Sequence, residues 1–93
     1  MQRLTENLIK DKLSGLKGWS IEKNSLIKEF ELKNFSDALA FIIKIGIEAE
    51  KIDHHPDILL HSWNKVKVTL TTHNAGGISE HDFNLAQQIE KIK

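Results

Sequence analysis

The chain's single proline, Pro56, closes the run Glu50-Lys51-Ile52-Asp53-His54-His55-Pro56 and divides a long apolar segment from the cleanest alternating segment in the sequence. The residue before a proline is pushed out of the α region, so a helix carrying Glu50 stops at about His54 and extended chain follows. The chain must turn a corner here, and two adjacent imidazoles sit on it. The negative end of a helix favours the cationic form of a nearby histidine, which suits proton transfer near neutral pH. The plainer alternative is that His54 and His55 cap the helix and meet solvent.

Upstream of the corner, Thr5 and Glu6 precede Leu8, Ile9, Leu13 and Leu16, which predicts a short capped helix ending at Gly15. Trp19 and Ile21 alternate with polar residues, and Lys23-Asn24-Ser25 offers a turn. Leu26, Phe30 and Leu32 then alternate with Ile27, Glu29 and Glu31, so a hairpin is expected, with Lys28 out of pattern. Asn34 or Ser36 caps a helix predicted from about Asp37 to Asp53. Its stripe of Ala38, Ile42, Ile45, Ala49 and Ile52 leaves Phe41, Ile43 and Ile47 on other faces. A helix apolar most of the way round needs cover on more than one side, either from its own core or from a second subunit, and so small a chain favours the subunit interface.

Downstream, Ile58 and Leu60 alternate with Leu59, His61 and Trp63, and Asn64-Lys65 reads as a turn. Val66, Val68, Leu70 and Thr72 alternate with Lys67, Thr69 and Thr71, giving a second hairpin with one wet face. The loop from Thr72 to Gly77 has paired glycines that allow positive φ. Ser79 with Asp82 resembles a capping box for a last helix whose apolar face is Phe83, Ala86, Ile89 and Ile92. The expected architecture is α+β: a four-stranded antiparallel sheet of two hairpins with three helices on one face, in the order α-β-β-α-β-β-α. A chain of 93 residues makes one domain, spanning positions 1 to 93.

Composition excludes several classes of function. The 13 basic and 13 acidic residues cancel, so there is no net field to draw in nucleic acid or anionic lipid. No stretch approaches the ~20 apolar residues of a membrane span, and no export signal is expected in the first ten positions. Cysteine is absent, which points to a reducing cytoplasm and removes thiolate metal sites.

The second hairpin should bring its flanks together, because the start of its first strand lies beside the end of its second. His54, His55 and His73 are thereby expected around one pocket. A protonated and a neutral imidazole across a cleft suit an addition or elimination in which one donates and the other removes a proton. Three imidazoles also raise a metal site, but adjacent histidines on extended chain point apart and no i,i+4 histidine pair lies on a helix, so no metal is expected. His61 and His81 read as surface residues.

Glu50, His54-His55-Pro56, Trp63, His73 and Asp82 stand at spacings that resemble the pterin-4a-carbinolamine dehydratase family, and Thr71-Thr72-His73-Asn74-Ala75-Gly76-Gly77 is similar to that family's second signature. The resemblance covers nearly the whole chain. It implies loss of water from 4a-hydroxytetrahydropterin to give quinonoid dihydropterin, in the recycling of the cofactor of aromatic amino acid hydroxylases. By position it makes His54, His55 and His73 catalytic, with Pro56 and the loop of Thr72, Asn74 and Ala75 lining the pterin site. Glu50 and Asp82 fall in its charged surround. Each also has a structural reading: Glu50 as a solvated helix end, Asp82 as a cap. Trp19 either walls the pocket or is core. The family implies no metal and no cofactor, and it implies dimers through sheet edges or tetramers through the long helix at 37–53. Two other roles stay open: a protein-interaction module of the transcription-factor dimerisation type, and a pterin-binding role elsewhere, such as molybdenum cofactor metabolism.

Overall fold

A computed structural model describes residues 2–93. Helix α1 (Glu6–Leu13) is followed by strands β1 (Ser20–Glu22) and β2 (Ser25–Glu31), helix α2 (Phe35–Lys51), strands β3 (Asp57–His61) and β4 (Lys65–Leu70), a 3-10 turn (His73–Ala75) and helix α3 (Glu80–Ile92). The four strands form one open antiparallel sheet in the order β1-β2-β4-β3, so the expected α-β-β-α-β-β-α arrangement is the one observed.

Strand alternation decides which face is buried. Leu26 and Phe30 of β2 pair across to Leu70 and Val66 of β4, and Ile58 and Leu60 of β3 pair with Val68 and Val66. These side chains meet Ala38, Phe41, Ile45 and Ala49 of α2 and Phe83, Leu85, Ala86 and Ile89 of α3 in one core. The wet face carries Glu29, Lys65 and Lys67.

Lys28 lies on the inner face, opposite Val68. Its ammonium reaches the rim, where it bonds Glu90 Oε2 at 2.7 Å and the Lys17 carbonyl at 2.9 Å and stands over the Phe30 ring, 4.7 Å from its centroid. A lysine that buries its stem and keeps its charge paired at the edge is compatible with an otherwise apolar face. Gly18 makes room for it: φ is 87° there, and a Cβ would stand 2.9 Å from the Lys28 Cε.

Three local expectations need correction. Helix α2 is shifted two residues toward the amino terminus of the predicted Asp37 to Asp53, because Asn34 rather than Ser36 is the cap and its side chain accepts from the Asp37 N–H at 2.7 Å. At the other end Asp53 is left-handed at φ 50°, which ends the helix before Pro56 can. Second, Phe41 belongs to the buried stripe, with its ring edge-on to Phe30 at 4.9 Å, while Ile52 is exposed. What remains outside is Phe35, Leu39, Ile43 and Ile47, an i,i+4 ladder on one face in which Ile43 is 64% exposed.

Third, the turn of the second hairpin is Ser62-Trp63-Asn64 rather than Asn64-Lys65, with Ser62 and Trp63 both at positive φ. Asn64 secures it by accepting the Leu32 N–H at its carbonyl and donating its side-chain amide to the Leu32 carbonyl. No helix among the described residues is long and apolar enough to cross a membrane.

Candidate active site

The site follows from the pairing of β3 with β4. Asp57 pairs with Thr69, so the residues just before β3 run beside those just after β4. An open recess of ≈ 280 Å³ lies between them, lined by Asp53, His54, His55, Thr71, Thr72, His73 and Asn74. The connectivity argument thus correctly brings the flanks of the hairpin together. A recess of similar size between α2 and α3 is lined by Leu32, Phe41 and Ile92 with Asp37, Lys44 and Lys93, and has no imidazole.

His54 is held from both its backbone and its ring. Its backbone N–H donates to the Ala49 carbonyl at the end of α2, and its side chain is only 12% exposed. Nε2 stands 2.5 Å from Asp82 Oδ1. Asp82 is fully buried, and its Oδ2 accepts from the Ser79 N–H at 2.9 Å and from the Thr72 hydroxyl at 2.8 Å. As a carboxylate Asp82 can only accept, so His54 Nε2 carries the hydrogen and Nδ1 is the nitrogen left for exchange. Thr72 spends its one proton on Asp82. The Ser79 hydroxyl, 2.6 Å away, therefore donates to Thr72 Oγ1. No buried side-chain polar atom of the cluster lacks a partner, as buried groups require.

The loop beyond β4 is closed by a bridge between Thr72 and Gly77, with N···O distances of 3.0 and 3.3 Å. Between them His73 and Asn74 stand exposed on the 3-10 turn, which Gly76 terminates at φ 73°. Gly77 is adjacent to the Arg3 side chain rather than open to a ligand.

His55 lines the same recess but has a different partner from His54. Its Nε2 lies 2.9 Å from Glu50 Oε1, and both side chains are well exposed. The Glu50 hydrogen bond raises the His55 pKa above the ordinary value of 6.5; desolvation opposes it, and weaker Coulombic attraction from Glu50 and Asp53 adds to the rise. A raised folded pKa contributes stability that is complete below about pH 6.5 and is lost as pH climbs through the folded value. Glu50→Gln is therefore expected to lower the His55 titration midpoint, followed by NMR of its ring protons, and to remove that part of the pH dependence above pH 6.5.

Of the residues singled out in the sequence, His54, His55, His73, Thr72 and Asn74 line the recess. Glu50 stands behind His55, and Asp82 stands behind His54 as both cap and hydrogen-bond partner. Pro56 and Ala75 are half-buried neighbours outside the lining. Trp19 does not wall the recess: it is buried edge-on to Phe30, and its indole N–H donates to Glu90.

Asp53 and Thr71 line the recess without having been anticipated. Their signal was adjacency, each lying one position from a predicted histidine or loop residue. His81, read as a surface residue, is half-buried with its ring 5.4 Å from that of His54.

The family model for pterin 4 alpha carbinolamine dehydratase matches residues 2–92. The chain belongs to that family. A Sulfolobus acidocaldarius protein bearing the provisional name pterin-4-alpha-carbinolamine dehydratase is 45% identical, over 98% of this chain and 99% of its own. A Nostoc punctiforme protein with the same provisional name is also 45% identical, over 99% of this chain and 98% of its own. Among solved structures, a transcriptional coactivator/pterin dehydratase from Brucella melitensis superposes with a TM-score of 0.93 at 35% identity, covering 98% of each chain. A pterin dehydratase-like RuBisCO assembly factor of the alpha-carboxysome shares the fold, with a TM-score of 0.64 at 19% identity. Within the pterin-4a-carbinolamine dehydratase family, then, the histidine-lined recess of this member is the natural place to look for its chemistry.

Proposed function

We propose that the chain is a 4a-hydroxytetrahydropterin dehydratase that works by histidine acid-base catalysis and serves tetrahydropterin recycling. The observation that carries this reading is one recess bordered by His54, His55 and His73 with an aspartate fixing the first of them. In the reaction a proton goes to the 4a oxygen, the carbon–oxygen bond breaks, water leaves, and a second proton is taken from a ring nitrogen to give the quinonoid dihydropterin. Nothing is oxidised or reduced. Two imidazoles can share this work, each typically contributing ~10² to 10⁴-fold. His54 and His73 are our pair. His55, held toward its cation by Glu50, helps position the substrate. Thr72 and Asn74 border the same space, and neither a metal nor a cofactor is required by the chemistry. The test is a spectroscopic assay of 4a-hydroxytetrahydropterin, in which the reading fails if the protein does not accelerate dehydration above the spontaneous rate.

A second role has its own observation in the exposed ladder of Phe35, Leu39, Ile43 and Ile47 on α2. About 25 cal/mol per Å² of apolar surface removed from water is available to whatever covers it. We propose a second copy of this chain as the occupant, through α2, with the open edge of the sheet as a further contact, so that the protein is a homodimer or homotetramer. That the Brucella relative is named a transcriptional coactivator as well as a pterin dehydratase supports an interaction role as the alternative, with a pterin-binding role in another pathway as a separate one. Ile43→Glu is expected to reduce the mass in solution by half or more in light scattering; an unchanged mass would remove α2 from the interface.

A further inference from the structure

We propose that His81 is a positioning residue for His54, which it holds against Asp82 so that Nδ1 alone exchanges protons in the recess. The proposal rests on the dehydratase reading for its effect on rate, and on geometry for everything else. His54 is bounded on one edge by Asp82, 2.5 Å from Nε2. His81 lies beside the His54 ring, with ring centroids 5.4 Å apart and planes inclined at 33°. That separation lies in the range of offset ring contacts.

His81 is well suited to be the fixed partner. It stands in the first turn of α3, where the capping box of Ser79 and Asp82 sets the backbone and the His81 N–H itself donates to Ser79 Oγ at 3.3 Å. The same two cap residues build the hydrogen-bond network of Asp82. One short stretch, Ser79 to Asp82, therefore supplies both the carboxylate that selects the nitrogen of His54 and the ring that keeps it from turning. The terminal torsion of a histidine is broad, so an aspartate at one nitrogen does not by itself fix the ring plane. A half-buried ring packed 5.4 Å away restricts that rotation and, on this proposal, limits the access of water to the contact between His54 and Asp82.

The experiment compares His81→Ala and His81→Phe with the unaltered protein, using two readouts. In the carbinolamine assay the alanine variant should lose roughly tenfold in kcat with KM within about twofold, less than the ~10² that a misplacement of about 1 Å costs. The phenylalanine variant, which keeps a ring of similar size but cannot carry a proton, should recover most of the rate. In ¹⁵N-histidine spectra the His54 Nε2–H resonance should be sharp in the unaltered and phenylalanine proteins and broadened by water exchange in the alanine variant. This second readout needs no catalysis, so it decides the proposal even if the dehydratase reading fails. A sharp Nε2–H resonance in the alanine variant overturns it. A phenylalanine variant as impaired as alanine also overturns it, by making His81 a proton carrier rather than a wall.

Discussion

Replacing His54 and His73 together with alanine is expected to return the dehydration of 4a-hydroxytetrahydropterin to its spontaneous rate. Both residues border the recess, on opposite flanks of the β3-β4 hairpin. If one imidazole protonates the leaving oxygen while the other takes a ring-nitrogen proton, each single variant should lose ~10² to 10⁴-fold. The double variant should lose little more than the worse single one, because groups that act as a unit are not additive. Rates measured by stopped-flow absorbance give the comparison. A double variant with full activity would end the acid-base assignment. Folding is a fair control: exposed His73 should change stability by no more than ~0.5 kcal/mol, whereas losing His54 leaves one Asp82 oxygen without its partner.

The second large effect concerns Asp82, whose two oxygens take bonds from His54, Thr72 and the Ser79 backbone while fully buried. Asp82→Ala removes the acceptor from three donors at once and takes away half of the capping box. Breaking a buried charge-assisted contact from one side costs about 3 kcal/mol, which in a domain of this size corresponds to a fall in Tm of roughly 15 °C. Asp82→Asn separates chemistry from folding. The amide oxygen can still accept from Thr72 and Ser79, while its NH2 turns a donor toward His54 and forces Nε2 to accept. The other tautomer of His54 then faces the recess, so the protein should stay folded in thermal denaturation yet lose ~10² to 10⁴-fold in kcat. An asparagine variant with normal kcat would show that the nitrogen facing Asp82 does not matter.

Much of the fold was legible because its signals are local. Period-two alternation at Val66, Val68 and Leu70 and the Thr5 and Ser79 caps each depend on residues within a few positions of one another. The errors arose where two local signals competed. Asn34 and Ser36 both had the chemistry of a cap, and only the extended backbone at Asn34 chose between them. Phe41 follows Ala38 by three positions and precedes Ile45 by four, so helical spacing itself puts it on the buried face, where its ring meets Phe30. Lys28 broke the alternation because its charge partner, Glu90, lies 62 positions away.

For the site, the amino-acid order alone determined that the residues at 54, 55 and 73 would meet, since antiparallel pairing leaves a hairpin's two flanks side by side. It also determined that Ser79 and Asp82 would cap a helix. Only the tertiary structure decided that Asp82 points its second oxygen at His54, that His81 lies beside that ring, and that Trp19 belongs to the core. The physical reason is distance along the chain. Caps and turns are settled by neighbours in sequence, whereas a bond between positions 28 residues apart depends on how α2, α3 and the sheet pack, and no local pattern encodes that packing.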